Sequence, residues 1–139
     1  MHVLIDTNVI LDVLLSRESF CEDSSRILGL AEKGILHSFV SASAITDIFY
    51  IVKKELKSKN EATNLLKKLL QTVRVAAVTE SHINFALNLQ WSDFEDSVQY
   101  SVGESIRVEY IITRNVKDFE KGKIKVRTSK EFLDEIGIT

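Results

Sequence analysis

Apolar residues in this chain fall into short runs and helical stripes that take turns. "HVLI" (residues 2–5) is a brief apolar run with β-branched content, the pattern of a buried strand. After Asp6-Thr7-Asn8, "VILDVLL" changes to helical spacing. Residues 23–33 read as a helix with Gly34 placed to stop it, and "ILHSFV" (35–40) as a second strand. With Ser43 as N-cap, Ile45, Ile48, Phe49, Val52 and Leu56 recur at helical intervals and predict one buried stripe. A further helix over about 60–72 carries Ala62, Leu65, Leu66, Leu69 and Leu70.

"VRVAAV" (73–78) predicts a third strand, and Thr79 caps a helix burying Ile83, Ala86 and Leu87. Ser92-Asp93-Phe94-Glu95 has the form of a capping box opening a helix to about 106. "EYIIT" (109–113) is a fourth strand, "KVRT" (125–128) an edge strand, and Thr128 with Glu131 a second capping box before the last helix. Strands alternating with helices imply an α/β fold, a three-layer sandwich around a mostly parallel sheet of about five strands. In such sheets ligands sit beyond the carboxyl ends of the strands, where the strand order reverses.

Composition refines this picture. At 139 residues the chain is expected to form a single domain over 1–139, and 45% apolar with 27% charged residues is ordinary for a soluble protein. No apolar run approaches the ~20 residues that span a bilayer. The N-terminus lacks the basic stretch and small-residue cleavage site of a secretory leader, and the lone Cys21 has no internal partner. A cytoplasmic protein with no membrane association is expected. The net charge of −2 does not mark a nucleic-acid binder, but its distribution is uneven. Residues 80–109 hold six acids against Arg107, whereas 114–130 hold seven bases against Asp118 and Glu120. Solvated faces would produce the same pattern, as would a metal site beside a phosphate-binding rim.

Four acids occupy equivalent places, just past a strand or in the first turns of a helix. Asp6 follows strand one. Asp47 lies four residues after Ser43, Asp96 four after Ser92, and Asp118 five beyond Thr113. Parallel topology carries these distant points to one sheet edge, where carboxylates repel one another unless a cation or shared protons intervene. A hard ion such as Mg²⁺ or Mn²⁺ takes oxygen ligands and suits phosphoryl chemistry. Structural explanations compete: Asp6 as an N-cap and Asp47 as a first-turn acid, with neighbouring Asp93 serving a helix start and Glu95 completing its capping box. Asp12 is expected on the exposed side of the first helix.

The stretches "LIDTNVILDVLL", "SASAITDIFYIVKK", "DFEDSVQYSV" and "IITRNVKDF" together resemble the PIN-domain ribonucleases found as VapC-type toxins of toxin–antitoxin pairs. The resemblance runs over essentially the whole chain and implies a PIN-like fold. It also implies cleavage of single-stranded RNA by metal-activated water with Mg²⁺ or Mn²⁺, homodimers, and an antitoxin partner. Asp6, Asp47 and Asp96 would be catalytic, and with Asp118 would hold the metal. Thr7, Asn8, Asp93 and Asn115 would support them, with Arg114 and Lys117 toward RNA. Two positions depart from the family pattern. Asp47 stands where Glu is common, and Thr113-Arg114-Asn115 where an acid often follows the arginine, so Asp118 would supply that carboxylate. Lys53, Lys54 and Lys57 are further places for RNA.

Three other readings compete with this one. A haloacid-dehalogenase phosphatase needs a second acid two residues after the first, and that position is Asn8. A phospho-receiver domain needs an Asp closing strand three, and "VRVAAVTE" has none. A PIN-fold binding module with a weakened metal site would explain Asn115.

Overall fold

In the computed structural model, which describes residues 1–138, five strands form one parallel sheet of order β3-β2-β1-β4-β5. The strands are β1 (His2–Ile5), β2 (His37–Ser41), β3 (Arg74–Ala76), β4 (Tyr110–Ile112) and β5 (Lys125–Arg127). Seven helices connect and follow them: α1 (Thr7–Leu14), α2 (Cys21–Glu32), α3 (Ala42–Leu56), α4 (Lys59–Leu69), α5 (Glu80–Leu89), α6 (Phe94–Ser105) and α7 (Ser129–Glu135). A single 3₁₀ turn, Val116–Phe119, follows β4. The α/β sandwich expected from the alternation is the observed fold.

Strand side chains alternate between two cores. Val3 and Ile5 of β1, with Tyr110 and Ile112 of β4, join the larger core with residues of α1, α2, α3, α4 and α7. Leu4 and Ile111 point the other way, onto Tyr100 of α6, Val108, Phe119 and Val126. β1 is therefore covered on both faces, which is why its sequence is apolar without alternation.

Several boundaries moved for local reasons. Ser41 rather than Ser43 caps α3, its Oγ accepting from the Ala44 N–H at 3.3 Å. Asp93 rather than Ser92 caps α6, accepting from the Asp96 N–H at 3.0 Å. The box expected from Ser92 to Glu95 does not form, because α6 begins at Phe94 with Asp93 as its cap, one residue later than expected. Thr128 and Glu131 do form the second box. Gly34 ends α2 at φ 78°, a backbone state that favours glycine. Leu87 is 58% exposed rather than buried, because α5 packs on α6 at the periphery and only Ala86 turns fully inward.

Asp12 is the plainest correction. Its side chain is fully buried, with Oδ1 accepting from Arg17 Nη1 at 3.3 Å and Oδ2 3.1 Å from Arg114 Nε. The Arg114 contact lies off hydrogen-bond geometry and acts by charge. Burial pushes the Asp12 carboxyl up, and the two arginines oppose that shift. The cations that compensate Asp12 come from beyond α1 and from the segment after β4, so helix periodicity alone could not place it inside.

Candidate functional site

β1 is the central strand, and the order reverses on either side of it: β2 and β3 lie one way, β4 and β5 the other. The crevice beyond the carboxyl ends of β1 and β4 is the switch point, where ligands bind in open parallel sheets. Asp6 opens into it. The Asp6 N–H donates to the Ile112 carbonyl at 2.9 Å, so the residue belongs to the ladder between these two strands.

Asp6 is 4% exposed, and its carboxylate is held by three donors. Oδ1 accepts from the Thr7 N–H at 2.7 Å and from Gln99 Nε2 at 3.0 Å. Oδ2 accepts from the Thr113 hydroxyl at 2.7 Å. Thr113 in turn accepts from the Asn115 N–H at 3.0 Å, so one hydroxyl joins Asp6 to the loop after β4. Charge-assisted bonds of this length fix orientation as well as adding stability. Asp6 is thus both the N-cap of α1 and the floor of the crevice.

The cleft above it has a volume of ≈ 430 Å³ and gathers residues from four parts of the chain. Thr7 and Asn8 come from α1, Asp47 from α3, Asp93 and Asp96 from the start of α6, and Asn115 and Asp118 from the loop after β4. Arg114 and Lys117 stand outside, lining a neighbouring hollow with Asn115 and Asp118. The Arg114 guanidinium lies 4.3 Å from the centre of the Phe20 ring in addition to its contact with Asp12. Reading the sequence left Glu95 as a capping residue and overlooked Gln99, Thr113 and Tyr50. With Asp93 as cap, Glu95 falls in the first turn and lines the cleft. Gln99 is one helical turn beyond Asp96, a spacing that could have flagged it.

Six carboxylates share this cleft: Asp6, Asp47, Asp93, Glu95, Asp96 and Asp118. Their crowding is visible in the titration of two of them. Asp96 is pushed up to about 7, first by burial and then by the charges of Asp93, Asp6, Asp118 and Glu95. Glu95 is pushed up to about 7 as well, first by burial, then by Asp47, Asp93 and Asp6. Such a site has an excess of negative charge that protons or a cation must offset.

A hard divalent cation fits this donor set, which is all oxygen. Gln99 Oε1 and Thr7 Oγ1 are buried on residues lining the cleft and have no hydrogen-bond partner among the described residues. No group of three or more His, Cys, Asp and Glu side chains forms a ready-made cage among the described residues.

Comparison with known proteins places the architecture. No curated protein matches the chain by sequence. The structure of VapBC2 from Rickettsia felis, bound to a DNA fragment from their promoter, is similar with a TM-score of 0.73 at 15% identity. That match covers 92% of this chain and 98% of the other. VapC20 of Mycobacterium tuberculosis, described as a Sarcin-Ricin loop cleaving toxin, gives 0.71 at 14% identity over 90% and 98% of the two chains. A toxin–antitoxin complex from Klebsiella pneumoniae gives 0.68 at 21% identity over 91% and 97%. At these identities the likeness is one of fold. The family profile of the PIN domain matches residues 2–117, most of the sequence and all but one of the cleft acids. The chain belongs to the PIN-domain family.

Proposed function

We propose that this protein is a metal-dependent endoribonuclease of the toxin type, hydrolysing phosphodiester bonds in single-stranded RNA with Mg²⁺ or Mn²⁺. The observation that carries the reading is the immobilised Asp6 carboxylate beneath five other acids at the switch point. In this reading Asp6, Asp47, Asp96 and Asp118 hold the ion, with Asp6, Asp47 and Asp96 catalytic. A bound divalent ion supplies an acidified water and offsets charge on the phosphate.

The remaining work falls to the chain itself. Thr7, Gln99 and Thr113 keep both Asp6 oxygens directed, so that acid does not rotate away from the cleft. Asp93 holds the start of α6, and with it the position of Asp96. Asn8 and Asn115 contribute neutral polar atoms to the wall. Glu95 joins the acids that set the demand for positive charge.

By likeness to the toxin–antitoxin structures, an antitoxin protein is the proposed partner. The resemblance of the sequence to the toxin family carries the further proposal of a cytoplasmic homodimer. No helix among the described residues is long and apolar enough to cross a membrane. Asn115, where family members often have an acid, favours a second reading as a PIN-fold binding module of weak or no activity. Asp118 lining the same cleft supports the nuclease instead.

Incubation of the purified protein with mixed RNA and Mg²⁺ or Mn²⁺, with and without chelator, tests the proposal. Chelator-sensitive cleavage that Asp6→Asn abolishes supports it. Absence of cleavage by the parent, or an Asp6→Asn protein as active as the parent, overturns it in favour of the binding module.

A further inference from the structure

The acidic cleft by itself repels a polyanion, so an RNA-cleaving protein needs a source of positive charge beside it. Three of the seven basic residues in 114–130 are committed elsewhere, and Lys117 shares its hollow with Asp118 and Glu131. Arg114 pairs with Asp12, Arg127 with Glu135 at 3.1 Å, and Lys130 with Asp134 at 3.4 Å. Lys53, Lys54, Lys57 and Lys59 form no ion pair among the described residues. They line a second hollow of ≈ 350 Å³ together with Tyr50 and Ser58, and no acid takes part in its lining. Tyr50 lines both this hollow and the acidic cleft, so the two surfaces meet at its ring.

Sequence spacing explains the continuity. Asp47, Tyr50 and Lys54 follow one another at three or four residues along one face of α3, and Lys57 caps its end. At ~1.5 Å per residue the helical stripe from Asp47 to Lys54 is about 10 Å long, and Lys57 continues it past the helix end. Tyr50 is 65% exposed, a large aromatic face left in solvent at the lip of the cleft. Lys57 sits in the left-handed region at φ 53°, a position where glycine or asparagine is favoured.

We propose that Tyr50 and these lysines form the track by which an unpaired RNA strand reaches the cleft. The Tyr50 ring stacks on a base at the lip, and Lys54, Lys57 and Lys59 neutralise the phosphates beyond it. Stacking requires a base free of its complement, so the track selects single strands over duplex. The inference rests on the nuclease reading and adds to it the side from which substrate enters.

The test is fluorescence anisotropy of labelled poly(U) on the full-length protein in chelator, so that the probe stays intact, with a poly(U)–poly(A) duplex in parallel. Tyr50→Ala is expected to weaken poly(U) binding by about 5- to 150-fold and Tyr50→Phe to leave it nearly unchanged. Lys54→Gln with Lys57→Gln is expected to lower the slope of log affinity against log salt by about 1.4. Lys57→Gly separates charge from structure: it relieves the strained backbone, so its melting temperature should hold or rise while poly(U) binding falls. With Mn²⁺ present, the same substitutions should raise KM and leave kcat near the parent value, as expected for uniform binding. Poly(U) affinity and KM unchanged in Tyr50→Ala and in the double lysine variant would overturn the track. So would an equal loss for the duplex, which would make the face a general polyanion surface. If the parent cleaves RNA and Asp6→Asn does not, either result leaves the nuclease standing and removes only the track.

Discussion

The hydroxyl of Thr113, at the end of β4, donates a 2.7 Å hydrogen bond to Oδ2 of Asp6, at the end of β1. The two residues are 107 positions apart, and neighbouring parallel strands bring them together. The same hydroxyl accepts from the Asn115 N–H, so it serves as donor and acceptor at once. This bond ties the buried acid to the loop that carries Asn115 and Asp118.

Replacing Thr113 with Val should leave a buried carboxylate oxygen short of a donor. A loss of about 1–3 kcal/mol in urea unfolding is expected, with a larger fractional loss of RNA cleavage than of stability. Thr113→Ser, which keeps the hydroxyl, should restore most of both. Equal stability of the Val variant and the parent would show that Asp6 does not depend on this bond.

The burial of Asp12 predicts an asymmetry. Arg114→Ala strips one cation from a buried carboxylate and should cost about 2–4 kcal/mol, the lower end reflecting the partly exposed guanidinium. Arg114→Lys should recover little, since it loses the planar contact with Phe20. Combining Arg114→Ala with Asp12→Leu should be milder than Arg114→Ala alone, because no charge then remains buried. Denaturant midpoints of the three proteins decide the matter, and strictly additive losses would refute the coupling.

Glu95 and Asp96 make the ion-free protein sensitive to pH. Both carboxyls are raised to about 7, burial being the first cause and neighbouring acids the second. A raised acid favours the folded state while protonated, so this contribution is complete below the ordinary carboxylate range and is lost as pH climbs through about 7. A divalent ion must displace those protons, so the stabilisation by Mn²⁺ should grow from about pH 5.5 to about pH 8. Thermal unfolding with Mn²⁺ and with chelator across that range measures it; a shift independent of pH would contradict the arrangement.

Asp93 and Glu95 should separate cap from charge. Asp93→Ala removes the acceptor for the Asp96 N–H and should cost about 1 kcal/mol of stability. Glu95→Gln removes a charge from the crowded cleft, so the ion-free protein should melt higher at neutral pH while Mn²⁺ affinity declines. A Glu95→Gln protein less stable than the parent in chelator would count against like-charge crowding.

Much of this was legible from residue order. The apolar runs of β1 and β4, the helical stripe of α3, the Gly34 stop and the Thr128–Glu131 box follow from local sterics and hydrogen bonding, which act over a few residues. Those constraints determine a parallel α/β fold, and the fold carries acids at strand ends to one edge. That is why Asp6, Asp47, Asp96 and Asp118 could be named before any contact was seen. Three things were decided only by tertiary structure. Asp12 is buried because Arg17 and Arg114 reach it from outside its helix. Glu95 faces the cleft because Asp93 took the cap one residue later than expected. Gln99 and Thr113 became partners of Asp6 through strand and helix packing. Periodicity reports which side of an element is apolar; which charges meet across elements depends on distances that no local pattern encodes.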